Sequence, residues 1–337
     1  MKRYGNLYDK TFTMDALFDA FVTARQHKRA KLACFRFERN LGANLAALHQ
    51  ELTDGSYRPR PFSTFTVTEP KTREIQAPVF RDCVVQHAAY KTIYPIFDAA
   101  MCRDSYACRV GGGAHRASAR AQMFMRQSDP DDYYLEMDIR KFFPSINHDI
   151  LSGILARKIK DQRMLGLLRM FFNAGKEGVG LPIGYLLSQI FANIYLDQVD
   201  RFCKRELGMR RYVRYMDNFA CIGMNLAAAR DVLGAVRRFV ADRLQMGLSK
   251  FTLQKIRRGF NFVGYRTWPS KTFIRKRSLY NFSRAVRAGE TAPAVSILGH
   301  AMRTRSLNYL LDMARENNHV LYRQIPESIR RLHHVPA

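Results

Sequence analysis

Two aspartates, each next to apolar runs, are the residues of this chain best placed for metal chemistry. Asp138 lies in the segment 133–146, near the end of an apolar strand, and Asp217 separates the strand-forming runs 212–216 and 219–222. A strand, a turn and a second strand would place Asp217 at a hairpin connection. Because carboxylate oxygens are preferred ligands of divalent cations, two strands that each deliver one carboxylate could form a single metal site.

The alternative for Asp217 is ordinary turn chemistry, since aspartate is common in turns. The context favours the functional interpretation. Between the two acids lies a loop with Gly and Pro that enters an apolar helix, residues 178–196. The three blocks, in this order, resemble the palm motifs of reverse transcriptases.

The resemblance extends over most of the chain. Residues 70–78 and 81–87 resemble the first fingers motif, 105–115 the second, and 261–266 the hairpin that grips the primer. The form Ile-Gly-x-x-x-Ser-Gln at 183–189 resembles reverse transcriptases of diversity-generating retroelements, whereas most other lineages carry Gln-Gly-x-x-x-Ser-Pro there. The implied fold is α+β and right-hand polymerase-like, with fingers, an antiparallel palm sheet and a small helical C-terminal thumb.

The resemblance also implies the reaction. An RNA-directed DNA polymerase joins a primer 3′-hydroxyl to the α-phosphate of a dNTP with two Mg²⁺ ions about 3.5–4 Å apart, and Mn²⁺ can substitute. Asp138 and Asp217 would bind the metals, together with the backbone carbonyl of Ile139. The partners would be a template RNA, its cDNA and dNTPs.

One position departs from the family pattern. The usual Tyr-x-Asp-Asp is replaced by Tyr215-Met216-Asp217-Asn218, and a neutral amide attracts Mg²⁺ less than a carboxylate does. Three explanations stay open for Asn218: a deliberate inactivating substitution, a natural variant that retains activity, and a degenerate protein without catalysis. The intact remaining motifs favour the first two.

The same motifs supply candidates for binding the incoming nucleotide. Lys71 and Arg73 would meet the triphosphate, although a solvated basic turn is an equal alternative for each. Phe143 would lie against the sugar 2′ position, where a ring excludes ribonucleotides, unless it only packs. The segment that touches the new base pair would contribute Ile183, Gly184 and Gln189, and the apolar Ile183 is consistent with error-prone copying.

Primer and template contacts are expected from three places. The second fingers motif supplies Arg109 and Gly112, although a glycine run is more often only a flexible loop. The other candidates are Tyr215 and Met216 beside the catalytic turn, and Gly264 and Tyr265 in the primer-gripping hairpin.

Composition agrees with a nucleic-acid partner without identifying one. The chain of 337 residues has 55 Lys+Arg against 29 Asp+Glu, a formal charge of +26, which attracts polyanions irrespective of their sequence. No apolar segment is long enough to span a membrane and no signal peptide is evident, so a cytoplasmic protein without a membrane partner is expected. Six scattered cysteines without a C-x-x-C pair are expected to be reduced and buried.

Hydrophobic patterns predict the elements and their grouping. Three segments are expected, namely N-terminal helices and fingers at 1–132, the palm at 133–268 and the thumb at 269–337. The palm sheet would contain the Asp138 strand, the Asp217 hairpin and a strand at 260–266. The predicted helices are 14–29, 41–52, 81–100 with a break near Pro95, 148–173, 188–207 and 226–244, and the thumb stripe is Leu298, Met302, Leu307, Leu310 and Leu311.

Three functions are compatible with these observations. The leading hypothesis is an error-prone reverse transcriptase of a diversity-generating retroelement, which works with a small basic accessory protein and a structured RNA. The closest alternative is a defence-associated prokaryotic reverse transcriptase with its own noncoding RNA. The third is a catalytically inactive nucleic-acid-binding scaffold, motivated by Asn218 and the charge.

Overall fold

The computed structural model describes residues 2–68 and 72–333. The chain forms two compact units, each made of several segments. The first contains the chain up to Arg103, Asp138–Glu206 and Ala235–Lys250, and the second contains Asp104–Met137, Leu207–Gly234 and the chain from Phe251 onward. The predicted segment boundaries at 132/133 and 268/269 follow motif order and stay a prediction.

The first unit is mostly helical with one two-stranded sheet. Its strands β1 (Ser63–Val67) and β2 (Arg73–Ala77) pair antiparallel. Lys71 lies outside the described residues. The helices are α1 (Tyr8–Thr11), α2 (Met14–Ala24), α3 (Leu32–Arg39), α4 (Leu41–Asp54), α5 (Phe80–Asp98), α7 (Phe142–Ser145), α8 (His148–Ala156), α9 (Gln162–Phe172) and α10 (Leu186–Arg201), which a π-helical turn (Phe202–Glu206) extends.

Three helix predictions are wrong in the first unit. The helix predicted for 14–29 ends at Ala24. Helix α5 continues through Pro95, because its fully buried residues, such as Val84 and Ile93, supply packing that outweighs one missing helical hydrogen bond. The helix predicted for 148–173 is two helices. Asp161 ends the interruption, since its carboxylate accepts a hydrogen bond from Met164 N at 3.1 Å and caps α9.

The second unit contains helix α6 (Ala114–Arg126) and two further sheets. The four-stranded sheet has the order β4-β5-β3-β6, in which β3 is Tyr133–Ile139, β4 Tyr212–Tyr215, β5 Asn218–Met224 and β6 Leu248–Lys255. Strands β3 and β6 each extend by a few residues into the first unit, and helix α11 (Leu226–Leu244) runs from the second unit into the first.

The predicted membership of the palm sheet is wrong in one strand. Residues 260–266 belong to a separate antiparallel sheet of β7 (Phe260–Phe262), β8 (Tyr265–Thr267) and β9 (Thr272–Ile274). The fourth palm strand is β6, whose first half is largely exposed at the edge of its sheet. An edge strand needs little apolar alternation, and its sequence Leu-Ser-Lys-Phe-Thr-Leu-Gln-Lys therefore gives a weak strand signal.

The C-terminal region is helical, as predicted for the thumb. Leu298, Leu307, Leu310 and Leu311 are in its core, whereas Met302 is 40% exposed, so its predicted place in the stripe is wrong. The helices are α12 (Lys276–Ala288), α13 (Thr291–Ala301), α14 (Ser306–Asn317), α15 (His319–Gln324) and α16 (Glu327–Arg330).

Two compositional expectations can be compared with the structure. All six cysteines are free thiols, but only Cys34, Cys203 and Cys221 are buried, and Cys108 is exposed. The expectation that all six are buried is therefore wrong. In the described part of the chain, no helix has both the length and the hydropathy needed to cross a bilayer.

Candidate active site

The turn between β4 and β5 presents Asp217. Tyr215 pairs with Asn218, so Met216 and Asp217 alone form the connection. Met216 has a φ of 54°, a region that costs a residue with a Cβ about 1–2 kcal/mol. The side chain of Asp217 is half-buried beside this strained position, and stored strain of this kind occurs mainly where neighbouring structure holds it in place.

Arg214 holds the turn between β4 and β5 in place, a role that no sequence pattern indicated. Its side chain is 0% exposed, and Nη1 donates to the Met216 carbonyl at 3.1 Å. Its backbone N–H donates to Asp104 O at 2.8 Å, while its carbonyl accepts from Tyr106 N at 3.0 Å. In the sequence, Arg214 is a single charged residue inside the apolar run 212–216, and that run does not show what its side chain contacts.

Asp138 lies near the end of β3 and is half-buried. The Ser249 hydroxyl donates to its carboxylate and lies 3.2 Å from its carbonyl. This contact orients the carboxylate through one hydroxyl. The next residue, Ile139, has a buried side chain. Its burial fixes the position of the Ile139 carbonyl, the predicted backbone ligand.

Asn218, the first residue of β5, connects the Met216–Asp217 turn to β3. Its Nδ2 donates to Glu136 Oε1 at 2.8 Å, and Asp138 follows Glu136 by two residues on the same strand. The Oδ1 of Asn218 is buried and has no hydrogen-bond partner in the described residues. Glu136 was not among the predicted site residues, because nothing in the local pattern distinguishes it from a solvated strand acid.

The candidate residues carry oxygen groups of the kind that hard divalent cations prefer. Asp138 lies in the first unit and Asp217 in the second, and each has a carboxylate. The Oδ1 of Asn218, which has no hydrogen-bond partner among the described residues, is a neutral oxygen that a water could satisfy. Among described residues, no group of three or more His, Cys, Asp or Glu side chains could hold a metal ion. This is consistent with the amide at position 218.

The nucleotide candidates occupy distinct environments. Arg73 is exposed at the start of β2. Phe142 is 3% exposed whereas Phe143 is half-buried, so Phe142 is the ring that packs and Phe143 is the accessible one. Gln189 is exposed on the first turns of α10.

The Ile183–Gly184 segment is fixed against the fingers strand β2. Gln76 N donates to the carbonyl of Ile183 at 2.7 Å. Gly184 has a φ of 123°, and a Cβ there would lie 2.6 Å from Gln76 O. Glycine is therefore required for the close approach of the two backbones.

The second fingers motif forms a compact loop before α6. Arg109 Nη1 donates to Ser105 O at 3.1 Å. A Cβ on Gly112 would overlap the carbonyl oxygen of Tyr106, so the glycine here has a packing reason. The half-buried Arg109 side chain is partly engaged within the loop, and its contact with template stays a prediction.

The primer-grip candidate Tyr265 is buried, with 1% of its surface exposed. Its hydroxyl lies 2.8 Å from His115 Nδ1 and 2.9 Å from His300 Nδ1, and its ring stacks on His300 at 4.1 Å. A Cβ on Gly264 would lie 2.7 Å from His300 Nε2. Tyr265 therefore positions the β7–β8 hairpin, and a direct contact with primer would fall to the hairpin backbone.

This hydrogen-bonded cluster should make stability depend on pH. Burial lowers the pKa of His115 and of His300, and Arg303 beside the first and Arg275 beside the second act in the same direction. Each folded-state pKa thus lies below the ordinary value of 6.5, so the neutral forms stabilise the fold above that pH. Their contribution is lost as the pH falls from 6.5 toward the lowered values.

We predict that acidification from about pH 7.5 to about pH 5.5 lowers the free energy of unfolding less in His115→Asn/His300→Asn than in the unaltered protein. Asparagine keeps a polar group near the Nδ1 position but does not titrate. Urea unfolding at both pH values measures the difference. His87, whose pKa burial lowers to about 4, contributes equally to both chains, and an identical loss in the double variant would contradict the assignment.

Comparison with known proteins supplies the family. A family model described as reverse transcriptase (RNA-dependent DNA polymerase) matches residues 68–267, more than half of the chain. Protein YkfC of Escherichia coli K12 is 25% identical over 292 residues, which cover 73% of this chain and 75% of that protein. The group II intron-encoded protein LtrA of Lactococcus lactis is 30% identical over 164 residues, but these cover 45% of this chain and only 27% of LtrA.

Solved structures agree on the fold. Apo telomerase from Candida tropicalis superposes with a TM-score of 0.51 at 14% identity and covers 82% of this chain and 57% of its own. Telomerase from Candida albicans gives a TM-score of 0.50 at 10% identity, over 83% of this chain and 67% of that one. These likenesses confirm the predicted right-hand polymerase-like α+β fold, and the match over residues 68–267 shows that the chain belongs to the reverse transcriptase family.

Proposed function

We propose that this protein is an active RNA-directed DNA polymerase that extends a primer along a template RNA. The observation that carries the proposal is the catalytic turn: a two-residue connection presents Asp217, buried Arg214 braces it, and Asn218 ties it to the strand that carries Asp138. The convergence of both carboxylates on one metal site is part of the proposal.

Asp138, Asp217 and the Ile139 carbonyl would hold Mg²⁺, and Mn²⁺ can replace it. The chemistry supplied by two bound ions is activation of the primer 3′-oxygen and stabilisation of the leaving oxygen. Ser249 orients the Asp138 carboxylate for this purpose. Met216, held at positive φ, fixes the direction in which Asp217 leaves the hairpin.

The remaining motif residues would select and align the substrates. Arg73, with Lys71, would bind the triphosphate, because guanidinium and ammonium groups pair with phosphate oxygens. The accessible ring of Phe143 would exclude a 2′-hydroxyl by contact. Ile183 and Gly184, fixed against β2, would form an apolar platform beside the new base pair, and Gln189 would lie at its edge.

Within the family, we propose membership of the diversity-generating retroelement type, supported by the Ile-Gly-x-x-x-Ser-Gln form at 183–189. This type implies error-prone copying with a small basic accessory protein and a structured RNA. A defence-associated enzyme with a noncoding RNA is the second candidate. A template and variable repeat pair beside the gene supports the first, and a cluster of defence genes supports the second.

We predict that Asp138→Asn and Asp217→Asn each lower primer extension by at least about a hundredfold, because each removes a metal-binding charge worth several kcal/mol. Template affinity should change little, since no phosphate-binding cation is lost. The control is Asp149→Asn, whose side chain is 93% exposed. Extension at the unaltered rate by either active-site variant would refute the catalytic assignment and favour the inactive scaffold.

A second prediction concerns the Asn218–Glu136 pair. In Asn218→Asp, a carboxylate would replace the amide that lies 2.8 Å from Glu136, and the two negative groups would repel each other. We expect Asn218→Asp/Glu136→Gln to extend primers about tenfold faster than Asn218→Asp, a difference of about 1.4 kcal/mol in the barrier. Glu136→Gln alone is the control. Equal extension rates for Asn218→Asp and Asn218→Asp/Glu136→Gln would show that repulsion by Glu136 does not limit the rate of the Asn218→Asp variant.

Substitutions of the adjacent residues Phe142 and Phe143 are expected to have different effects on the selection of deoxyribonucleotides over ribonucleotides. Phe143→Ala should raise incorporation of ribonucleotides relative to deoxyribonucleotides by about tenfold or more, because steric exclusion is removed. Phe142→Ala should instead destabilise the fold by about 3–5 kcal/mol without changing that ratio. Steady-state kinetics with both nucleotide types and urea unfolding test the pair, and unchanged selectivity in Phe143→Ala would reduce its ring to a packing role.

A further inference from the structure

A second concave surface, rich in arginine, lies in the first unit. It is a cavity of about 310 Å³ formed by α8, the end of α10, the π-helical turn and the C-terminal part of α11. None of its residues belongs to the motifs that resemble the polymerase family. We call it the arginine cavity, and its polar lining consists of Arg157, Gln198, Arg201, Arg205, Glu206 and Arg243.

The cavity has an excess of positive charge. Four guanidinium groups face it, against the single carboxylate of Glu206. Arg201 is engaged, since it pairs with Asp197 at 2.5 Å and donates to Ala100 O at 2.7 Å. Arg205 and Arg243 are exposed, and neither forms an ion pair or hydrogen bond with any described residue. Two guanidiniums are therefore available to a ligand.

Local structure holds these arginines around one space. The π-helical turn widens the end of α10, and its Phe202 stacks on Phe239 of α11 with centroids 4.1 Å apart and planes at 11°. This stack fixes the element that carries Arg205 beside the element that carries Arg243. π-Helical turns are uncommon and frequently occur at functional sites.

We propose that the arginine cavity binds phosphate groups of a structured RNA, in addition to the template contacts of the polymerase motifs. Guanidiniums from three elements converge on one compact space, which suits a tetrahedral phosphate that accepts bidentate hydrogen bonds. An extended acidic peptide would need a groove with cations spaced along it.

The proposal rests on the proposed function for the identity of the polyanion, but its test does not require catalysis. The probe is a fluorescently labelled RNA hairpin, and the variant is Arg205→Gln/Arg243→Gln. We expect its affinity for the hairpin to fall about 10- to 100-fold and the slope of log affinity against log salt to fall by about one to two, because one or two phosphate contacts are lost.

The matched control is Arg39→Gln/Arg230→Gln, which removes the same charge from exposed positions on α3 and α11 outside the cavity. Its affinity should fall less than about threefold. Glu206→Gln should tighten binding several-fold, a gain that misfolding cannot produce. An equal loss of hairpin affinity in both double variants, or no gain of affinity in Glu206→Gln, would overturn the proposal. Either result would mean that binding depends only on the net charge of the protein.

Two further measurements distinguish this site from its alternatives. Extension of a short primer on a short template should be unchanged in Arg205→Gln/Arg243→Gln, whereas loss of extension in the active-site variants tests the polymerase itself. Polyglutamate serves as an acidic polypeptide competitor. If the cavity variant loses affinity for polyglutamate but keeps its affinity for the hairpin, the cavity binds an acidic protein and the RNA proposal is overturned.

Discussion

The candidate active site depends on a guanidinium that has no access to solvent. Removing a charged group from water costs several kcal/mol unless hydrogen bonds replace its hydration, so buried Arg214 requires the groups around it to keep their positions. One of those groups is the carbonyl of Met216 in the turn that presents Asp217. The backbone of Arg214 also bonds to Asp104 and Tyr106, and Arg120 of α6 pairs with Asp104 at 2.7 Å. The turn, the preceding loop and α6 are thus held as one structure.

The sequence was informative where local periodicity and local function coincide. The apolar runs around Asp217 predicted the hairpin, and the structure has it with a two-residue turn. Strand β6 was missed because it lies at the edge of its sheet, where it pairs with a single strand and needs little apolar alternation. Its polar sequence therefore resembles that of a loop. The interactions of Arg214, Glu136 and the His115–Tyr265–His300 cluster join residues up to 150 positions apart, and hydropathy patterns carry no information about such pairs.

The hydrogen bond between Asn218 and Glu136 changes the interpretation of Asn218. In sequence it is a loss of a carboxylate, and three explanations are compatible with that loss. In the structure its amide donates to Glu136, a bond that an aspartate at this position could not make. The neutral residue and the neighbouring acid are therefore complementary. The proposal that Asn218 is a natural residue draws on this complementarity, because a substitution made only to remove a ligand would not be matched on the adjacent strand.

The charge of +26 indicates a nucleic-acid-binding surface only after buried and ion-paired arginines are distinguished from exposed, unpaired ones. Some arginines serve the fold: Arg214 is buried, Arg81 pairs with Glu51, and Arg201 pairs with Asp197. Their charge is neutralised or shielded, and substituting them would destabilise the protein rather than release a ligand. Arginines that are exposed, unpaired and gathered around a concavity, such as Arg205 and Arg243, keep their full donor capacity. Because a phosphate gains most from guanidiniums that need not break existing bonds, the distribution of unpaired cations is a better guide to a phosphate-binding surface than the net charge.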